Sequence, residues 1–486
     1  MNDLKRSTSK VLLLLSFVFG MLFQWLLIGT EPGASISLTI TLFYLLYFSS
    51  MKHTKSTHFR MSLFVFLCVI LISFSYTVFT NTALLGWSLL ILPFLVAFHL
   101  VLLTSSTHMK WYQWAFITHV LSYFGYAFHY LSRYAAVGKR TLKQNMQPSM
   151  YNNLKMIFLG LVISVPLVMA VSVLLMSADE QFETFLSGFP RWLMTLQWGD
   201  NLFRVLFGLF VGLFTFGFIQ SVTQPKYRLQ DKKEPTSIKW NEILTVTVLV
   251  SLNLLYFLFV FVQFQYFFQG SVQEGLTYAQ YARRGFFELV FVTLINWTVF
   301  LSVIHFVQTG SKKLKSVIKV LLSFMILSSG VMLLSAFIRL MLYEQEYGFT
   351  TTRFLVYSFM IFLGIIFMYS LVKVWLKKLS LARFYFFTAI VCFTILHCIH
   401  MDEIIAKQNI QRYDETGKVD IYYLNTLSGA GTLALIHLYE QDPTIPNLEN
   451  LLQDKKRNLQ QSHVKWQEFN IIERDARDQL EKLKLK

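Results

Sequence analysis

Residues 84–104 read LLGWSLLILPFLVAFHLVLLT, twenty-one positions without an Asp, Glu, Lys or Arg. At about 1.5 Å of rise per residue such a run reaches across a hydrocarbon core of roughly 30 Å, and as a helix it bonds every backbone polar group within itself. Ten more stretches read the same way, approximately 11–28, 35–50, 61–79, 154–176, 202–222, 241–268, 286–308, 316–338, 354–376 and 383–400. The fold class expected is all-α: a polytopic transmembrane helical bundle of eleven spans over residues 1–400, with a small helical C-terminal tail over 401–486. Composition agrees, with 55% of the 486 residues hydrophobic, 17% aromatic, only 14% charged, and a mean hydropathy of +0.49, well above a soluble domain's balance.

Lys5, Arg6 and Lys10 before the first apolar run resemble the start of a signal peptide. The run is long, however, no A-x-A site follows it, and a second span begins within a few residues, so it reads as an uncleaved anchor. The formal charge of +16 would suit a nucleic-acid binder, but the basic residues sit in short loops between apolar runs, and that partner is excluded. Cys68, Cys392 and Cys398 all lie in or beside apolar runs and can build neither a disulfide framework nor a cysteine zinc site. No P-loop, G-x-S-x-G or H-E-x-x-H motif occurs, so the sequence calls for no enzyme and no cofactor.

Residues 111–131 decide the topology. Gln113, His119, Ser122 and His129 interrupt this aromatic-rich run, and Lys110 and Arg133 flank it. Read as an amphipathic interfacial helix, it leaves the loops on the N-terminal side with 25 basic residues against six on the other side, a clear positive-inside bias. Read as a twelfth span, it inverts the bias partway along the chain. Eleven spans put the N-terminus in the cytoplasm and the tail outside.

Two outer segments stand out. Ser177-Ala178-Asp179-Glu180 has capping-box spacing, and Phe182, Phe185, Leu186 and Phe189 follow at helical spacing, predicting an outer amphipathic helix over 177–198 that ends in Trp192 and Trp198. Thr277 and Gln280 cap a second helix that enters the membrane directly; on it Tyr281, Arg284 and Glu288 share a face. Ionisable groups near hydrocarbon are costly and are functional candidates by default. The candidate cluster is therefore Tyr278, Tyr281, Arg283, Arg284 and Glu288, with Asp179 from the first segment and Asn253 from the seventh span; the bland alternative is an ion pair locking two helix ends.

Several stretches carry a resemblance. Ser177-Ala178-Asp179 with Phe182, Leu252-Asn253-Leu254-Leu255-Tyr256 with Gln263, the run Thr277 to Leu289, and in the tail Asn409 with Arg412, Gly417, Asp420, Tyr423-Leu424 and Trp466 with Phe469-Asn470 resemble the bacterial integral membrane proteins known as domain of unknown function 4173, related to the 4153 group. The resemblance implies a multi-span helical fold and a bacterial cytoplasmic-membrane location, and it supplies no activity, ligand or catalytic residue. One departure is Ser428-Gly429-Ala430-Gly431, where relatives are expected to carry Ser-x-Asp-Ala.

Weaker signals each have a structural alternative. Gly208 and Gly212 form a G-x-x-x-G pair, whose commonest use is close helix packing within one chain. Asn253, Gln263, Gln265 and Asn296 either bond across spans or line a hydrated path. His397, His400 and Asp402 are the raw material of a metal site without a visible further ligand, and no metal is assigned. The tail's last stripe, Trp466, Phe469, Ile472, Ala476, Leu480 and Leu483, belongs to a helical piece too small for a robust core of its own, so it should pack on the outer loops or on a partner. The functional expectation is a non-enzymatic envelope sensor, regulator or assembly component, in contact with the bilayer and with an envelope protein through the tail. The alternative is a transporter or lipid-handling protein of the cytoplasmic membrane.

Overall fold

The computed structural model describes residues 2–50, 58–104, 110–145, 156, 164, 198–223, 240–269, 286–307, 310–376, 378–461 and 465–485. Eleven helices come first: α1 (Asn2–Leu27), α2 (Ala34–Ser50), α3 (Phe59–Val78), α4 (Thr82–Thr104), α5 (Trp114–Asn145), α6 (Trp198–Thr223), α7 (Glu242–Gln269), α8 (Phe286–Phe306), α9 (Lys312–Tyr347), α10 (Thr351–Trp375) and α11 (Leu381–Cys398). The tail adds α12 (Met401–Thr416), α13 (Ile421–Thr426), α14 (Gly429–Gln441), α15 (Leu448–Gln461), a 3₁₀ turn at Trp466–Glu468 and α16 (Ile471–Lys482). No strand occurs among the described residues; Trp240 and Val307 make one isolated bridge. Among the described residues eight helices are long and apolar enough to cross a membrane, and Val11–Leu27 and Ala34–Ser50 add two shorter apolar runs. The protein is thus a polytopic helical membrane bundle, as composition and run length require. Ten of the eleven expected spans fall on these helices. The eleventh, 154–176, lies outside the described residues apart from Ser164 and Met156, and so does the expected outer helix 177–198 up to Trp198.

Contacts fix the helix directions. Ser37 on α2 bonds Ser73 O and Thr77 on α3, Tyr76 on α3 bonds Ser88 on α4, and Tyr369 on α10 stacks on Phe384 of α11, so each of these neighbours is antiparallel. The described helices α1–α11 alternate in direction, and the tail therefore begins at the end of the bundle opposite Asn2. Trp114, Trp240 and Trp375 mark the N-terminal end with exposed indoles, while Trp25, Trp87 and Trp466 mark the tail end, the placement expected of aromatic belts at two bilayer surfaces.

The helix expected at 111–131 in the plane of the interface is instead the first part of α5, which runs lengthwise along α6: Phe124 lies against Phe218 and Phe214, and Phe128 against Phe214 and Phe210. Its stripe Phe116, Val120, Tyr123, Ala127 and Tyr130 is buried. An amphipathic pattern is the same for a helix resting on headgroups and for one pressing its apolar face on other helices, and here the second arrangement holds. Because α5 is antiparallel to α6, it points towards the tail end. Single cysteines at Lys418 and at Gln144 are accordingly expected to react with an impermeant maleimide from one side of sealed vesicles, and one at Lys313 from the other. Labelling of Gln144 together with Lys313 would remove α5 from the crossing helices.

Two helix seams among the described residues of α1–α11 are set by glycine. At the α1–α6 crossing, a Cβ on Gly20 would run into the Gly208 carbonyl, and one on Gly212 would sit 2.7 Å from Ser16 O. The G-x-x-x-G pair thus serves packing within one chain, with Gly20 as its unforeseen partner. On the other side of α6, a Cβ at Gly217 would lie 2.6 Å from Ala127 O of α5. Close backbone approach of this kind is how helices gain packing energy where lipid offers no hydrophobic drive.

The side chains form three cores. One joins α1–α6 with α11, a second joins α7–α10 with the start of α11, and the third is the tail with Leu84 of α4. The tail residues quoted above as family motifs are its fasteners. Asn409 Nδ2 donates to Phe349 O at 2.8 Å while its Oδ1 accepts from Phe349 N at 3.2 Å, gripping the α9–α10 turn at Gly348, whose φ of +81° glycine tolerates. Arg412 donates to Gln345 O and Glu346 O, two end carbonyls of α9. Gly417 ends α12 in the left-handed conformation, Asp420 caps α13 by accepting from Tyr423 N, and Tyr423 Oη accepts from Thr351 N at 2.7 Å. Asn470 caps α16 through Glu473 N and donates to Tyr76 O and to Thr80 Oγ1 on the α3–α4 loop. Phe469 O accepts from Ala34 N at 3.0 Å, and Trp466 packs on Trp25, ring centroids 5.5 Å apart.

Candidate functional site: a phenylalanine-lined cavity beneath the tail

Where α1, α2, α4, α5 and α6 meet they leave a cavity of about 510 Å³, inside the range of small-molecule and lipid sites. Its reach follows from the helices that bound it. Along α2 it runs from Ser35 to Phe43 and along α4 from Leu85 to Val96, about 12–17 Å at the helical rise. That is close to one leaflet, half of the roughly 30 Å core. Seven phenylalanines supply most of the wall: Phe19, Phe23, Phe43, Phe124, Phe210, Phe214 and Phe218. The α1–α2 loop, Thr30 to Pro32, closes it at the tail end.

A few polar groups interrupt this apolar wall. Thr39 Oγ1 donates back to Ser35 O at 2.7 Å. The Ser35 hydroxyl itself is buried in the first turn of α2 with no hydrogen-bond partner, a costly state unless a ligand or water completes it. Ser88 Oγ accepts from Tyr76 Oη at 2.8 Å and lies 2.7 Å from His397 Nε2. His397 Nδ1 faces only the Phe393 carbonyl, at 3.0 Å, so that nitrogen carries the hydrogen. The Tyr76–Ser88–His397 chain ties α3, α4 and α11 together behind the cavity wall.

The residues singled out from sequence are elsewhere. Tyr278, Tyr281, Arg283, Arg284 and Asp179 lie outside the described residues. Glu288 is exposed in the first turn of α8, and Asn253 is buried on α7, donating to Leu321 O of α9 at 3.0 Å. Tyr256, one turn beyond Asn253, meets Asn296, which is eight residues from Glu288, about 12 Å along α8, so these two do not converge. Asn296 also donates to Ser329 Oγ at 2.9 Å, and the amides act as interhelical bonds, each worth about 0.6–2 kcal/mol in a membrane. The side chains of Gln263 and Gln265 lie outside the described ones.

His397, His400 and Asp402 separate as well. His400 stacks on Phe79 at 4.6 Å and bonds Glu403 at 2.9 Å, while Asp402 accepts from Ser428 N at 3.0 Å. Lys407 first, and then His400, hold the Glu403 carboxyl below the usual carboxylate range. Among the described residues no three His, Cys, Asp or Glu converge on a point. Where relatives were expected to carry an acid, Ser428-Gly429-Ala430-Gly431 opens α14, and the acids come from other helices: Asp402 takes the Ser428 amide and Glu473 the Gly429 amide at 2.6 Å.

Sequence reading missed the cavity because it belongs to five helices. The pair Ser35 and Thr39, small hydroxyls one turn apart inside an apolar run, was the available trace.

Fold and site together define a multi-pass helical membrane protein with an apolar cavity, about 12–17 Å deep, under a fastened helical tail. Residues 66–438 match the family described as domain of unknown function DUF4153, and the chain belongs to that family. The family shown is thus the 4153 group, and membership of the 4173 family is not shown. No curated protein and no solved structure matches the chain.

Proposed function

We propose that the protein is a non-enzymatic, lipid-handling protein of a bacterial cytoplasmic membrane, whose cavity takes one apolar chain from the leaflet on the tail side. The cavity carries this reading: its depth, its phenylalanine wall and the unpartnered Ser35 hydroxyl near its closed end suit an amphiphile with a polar head at the α1–α2 loop. We place the N-terminal end in the cytoplasm, since the ten residues Lys5, Arg6, Lys10, Arg60, Lys110, Lys312, Lys313, Lys315, Lys378 and Arg383 lie there, and they outnumber Arg133, Lys139, Arg140, Lys143, Arg204, Arg339 and Arg353, which α5, α6, α9 and α10 carry at the tail end. The test is native mass spectrometry of the full chain released from mild detergent. Wild type is expected to retain one lipid, and Val211→Trp, which fills the cavity from α6, to retain at least tenfold less with an unchanged melting temperature. Equal retention by both would end the proposal.

A second reading, an envelope sensor or regulator that meets a protein partner through the tail, has one specific support. The segment 465–470 is bonded directly to the loop that closes the cavity: Lys465 Nζ donates to Gly29 O at 2.8 Å and Phe469 O holds Ala34 N. Occupancy of the cavity would then bear on the tail. Crosslinking through α15 is expected to recover a partner from wild type in an amount that Val211→Trp changes; recovery indifferent to that substitution would sink the coupling.

A further inference from the structure

The α1–α2 end of the cavity carries a negative charge in its lining and a positive one beside it. Glu31 is exposed on the closing loop and lines the cavity. Arg204, in the second turn of α6, lies over Gly29, where a Cβ would be 2.7 Å from its Nη2; glycine with φ +73° leaves that space to the guanidinium. Two more charged side chains stand beside them, and both are spent on backbone groups. Lys465 Nζ donates to Gly29 O, and the Glu468 carboxylate accepts from Glu31 N and Lys465 N, each at 3.4 Å. Glu31 and Arg204 make no ion pair among the described residues, with each other or with a third group. One turn or so into the cavity from them is the Ser35 hydroxyl, fully buried and unpartnered, on a helix whose N-terminus faces the same loop.

An unpaired carboxylate, an unpaired guanidinium and a donor-capable hydroxyl at the head of a leaflet-deep apolar slot define a complement. A purely anionic head would satisfy Arg204 and leave Glu31 facing a like charge, and a purely cationic one would satisfy Glu31 and leave Arg204 facing a like charge. We infer that the cavity is selective for a zwitterionic phospholipid with a primary ammonium head, its phosphate against Arg204 and Ser35 and its ammonium against Glu31. Guanidinium and a helix N-terminus both favour phosphate oxygens. A primary ammonium gives Glu31 three N–H donors, which a quaternary ammonium lacks. The inference rests on the lipid-binding reading above and adds the choice of head.

The experiment uses full-length protein, delipidated in detergent and titrated with phosphatidylethanolamine, phosphatidylglycerol or phosphatidylcholine of the same acyl chains, with bound lipid counted by native mass spectrometry. Wild type is expected to hold phosphatidylethanolamine at least tenfold more tightly than either other lipid. Glu31→Gln should erase the preference over phosphatidylglycerol, Arg204→Gln should weaken both lipids about tenfold, and Ser35→Ala should weaken both by a smaller factor. Glu31 is exposed, so its substitution is not expected to disturb folding, and a melting curve on each variant checks this. Phosphatidylglycerol bound as well as phosphatidylethanolamine, or a preference that survives Glu31→Gln, overturns the inference and leaves the lipid-binding reading standing. Retention of none of the three lipids overturns both.

Discussion

Gly212→Leu, or Gly20→Leu on the facing helix, is expected to destabilise the bundle by about 3 kcal/mol or more, the upper part of the range for overpacked cores. The size follows from what is in the way. A Cβ at Gly212 meets Ser16 O at 2.7 Å and Phe17 Cα at 3.0 Å, and one at Gly20 meets the Gly208 carbonyl. These obstacles are backbone, which cannot rotate aside as a side chain can, so α1 and α6 would have to part along the seam. That seam is also one wall of the cavity, through Phe19, Phe23, Phe210 and Phe214. Gly330→Ala and Gly364→Ala are the controls: a Cβ at either finds nothing within 4 Å, and replacing a mid-helix glycine is worth up to about 1 kcal/mol in favour of the helix. Thermal loss of the monodisperse peak in size-exclusion chromatography separates the two classes. A Gly212→Leu protein that melts with wild type would show that the α1–α6 crossing is not set by backbone contact.

The second large effect is expected at the tail. Asn470→Ala removes the cap of α16, worth about 1 kcal/mol, and strips the buried Thr80 and Tyr76 groups of their donor, a loss of about 1–3 kcal/mol. A combined loss near 3 kcal/mol shifts a docking equilibrium by about two powers of ten. The Leu84, Leu435, Leu438 and Leu480 core beneath then opens to water more often. Asn470→Asp keeps an oxygen for Glu473 N and loses only the Nδ2 donor, so it should fall between wild type and Asn470→Ala. Asn409→Ala acts on another loop, where both polar atoms of Phe349 lose their partner, and it should resemble Asn470→Ala in size. Limited proteolysis of the tail, followed by mass, reads the released fraction. Tail cleavage at the wild-type rate in both alanine variants would mean that the apolar core alone seats the tail.

Periodicity cannot say which neighbour a face will meet, and α5 is the instance: Phe116, Val120, Tyr123 and Ala127 form one stripe whether the helix rests on headgroups or against α6. Charge counting along the chain points one way, and the packing of α5 on α6 points the other. The motif residues of the tail were visible as letters, and Asn409, Asn470 and Arg412 needed coordinates to become fasteners, because each acts on a loop or helix end 60 residues or more away in the chain. The Thr277 to Leu289 cluster lies outside the described residues up to Gly285, while Glu288 and Asn253 proved to be far apart in depth.

Run length and composition were enough to establish an all-α membrane protein, most of its spans, and the small-residue seam on α6, since the bilayer allows a long uncharged apolar run one way to satisfy its backbone. The partner of that seam, the course of α5, the seating of the tail and the cavity with its Glu31 and Ser35 were decided by tertiary structure alone. Each of these depends on which helices become neighbours, and neighbours in a bundle are chosen by shape and by pairwise bonds between residues that the chain keeps far apart.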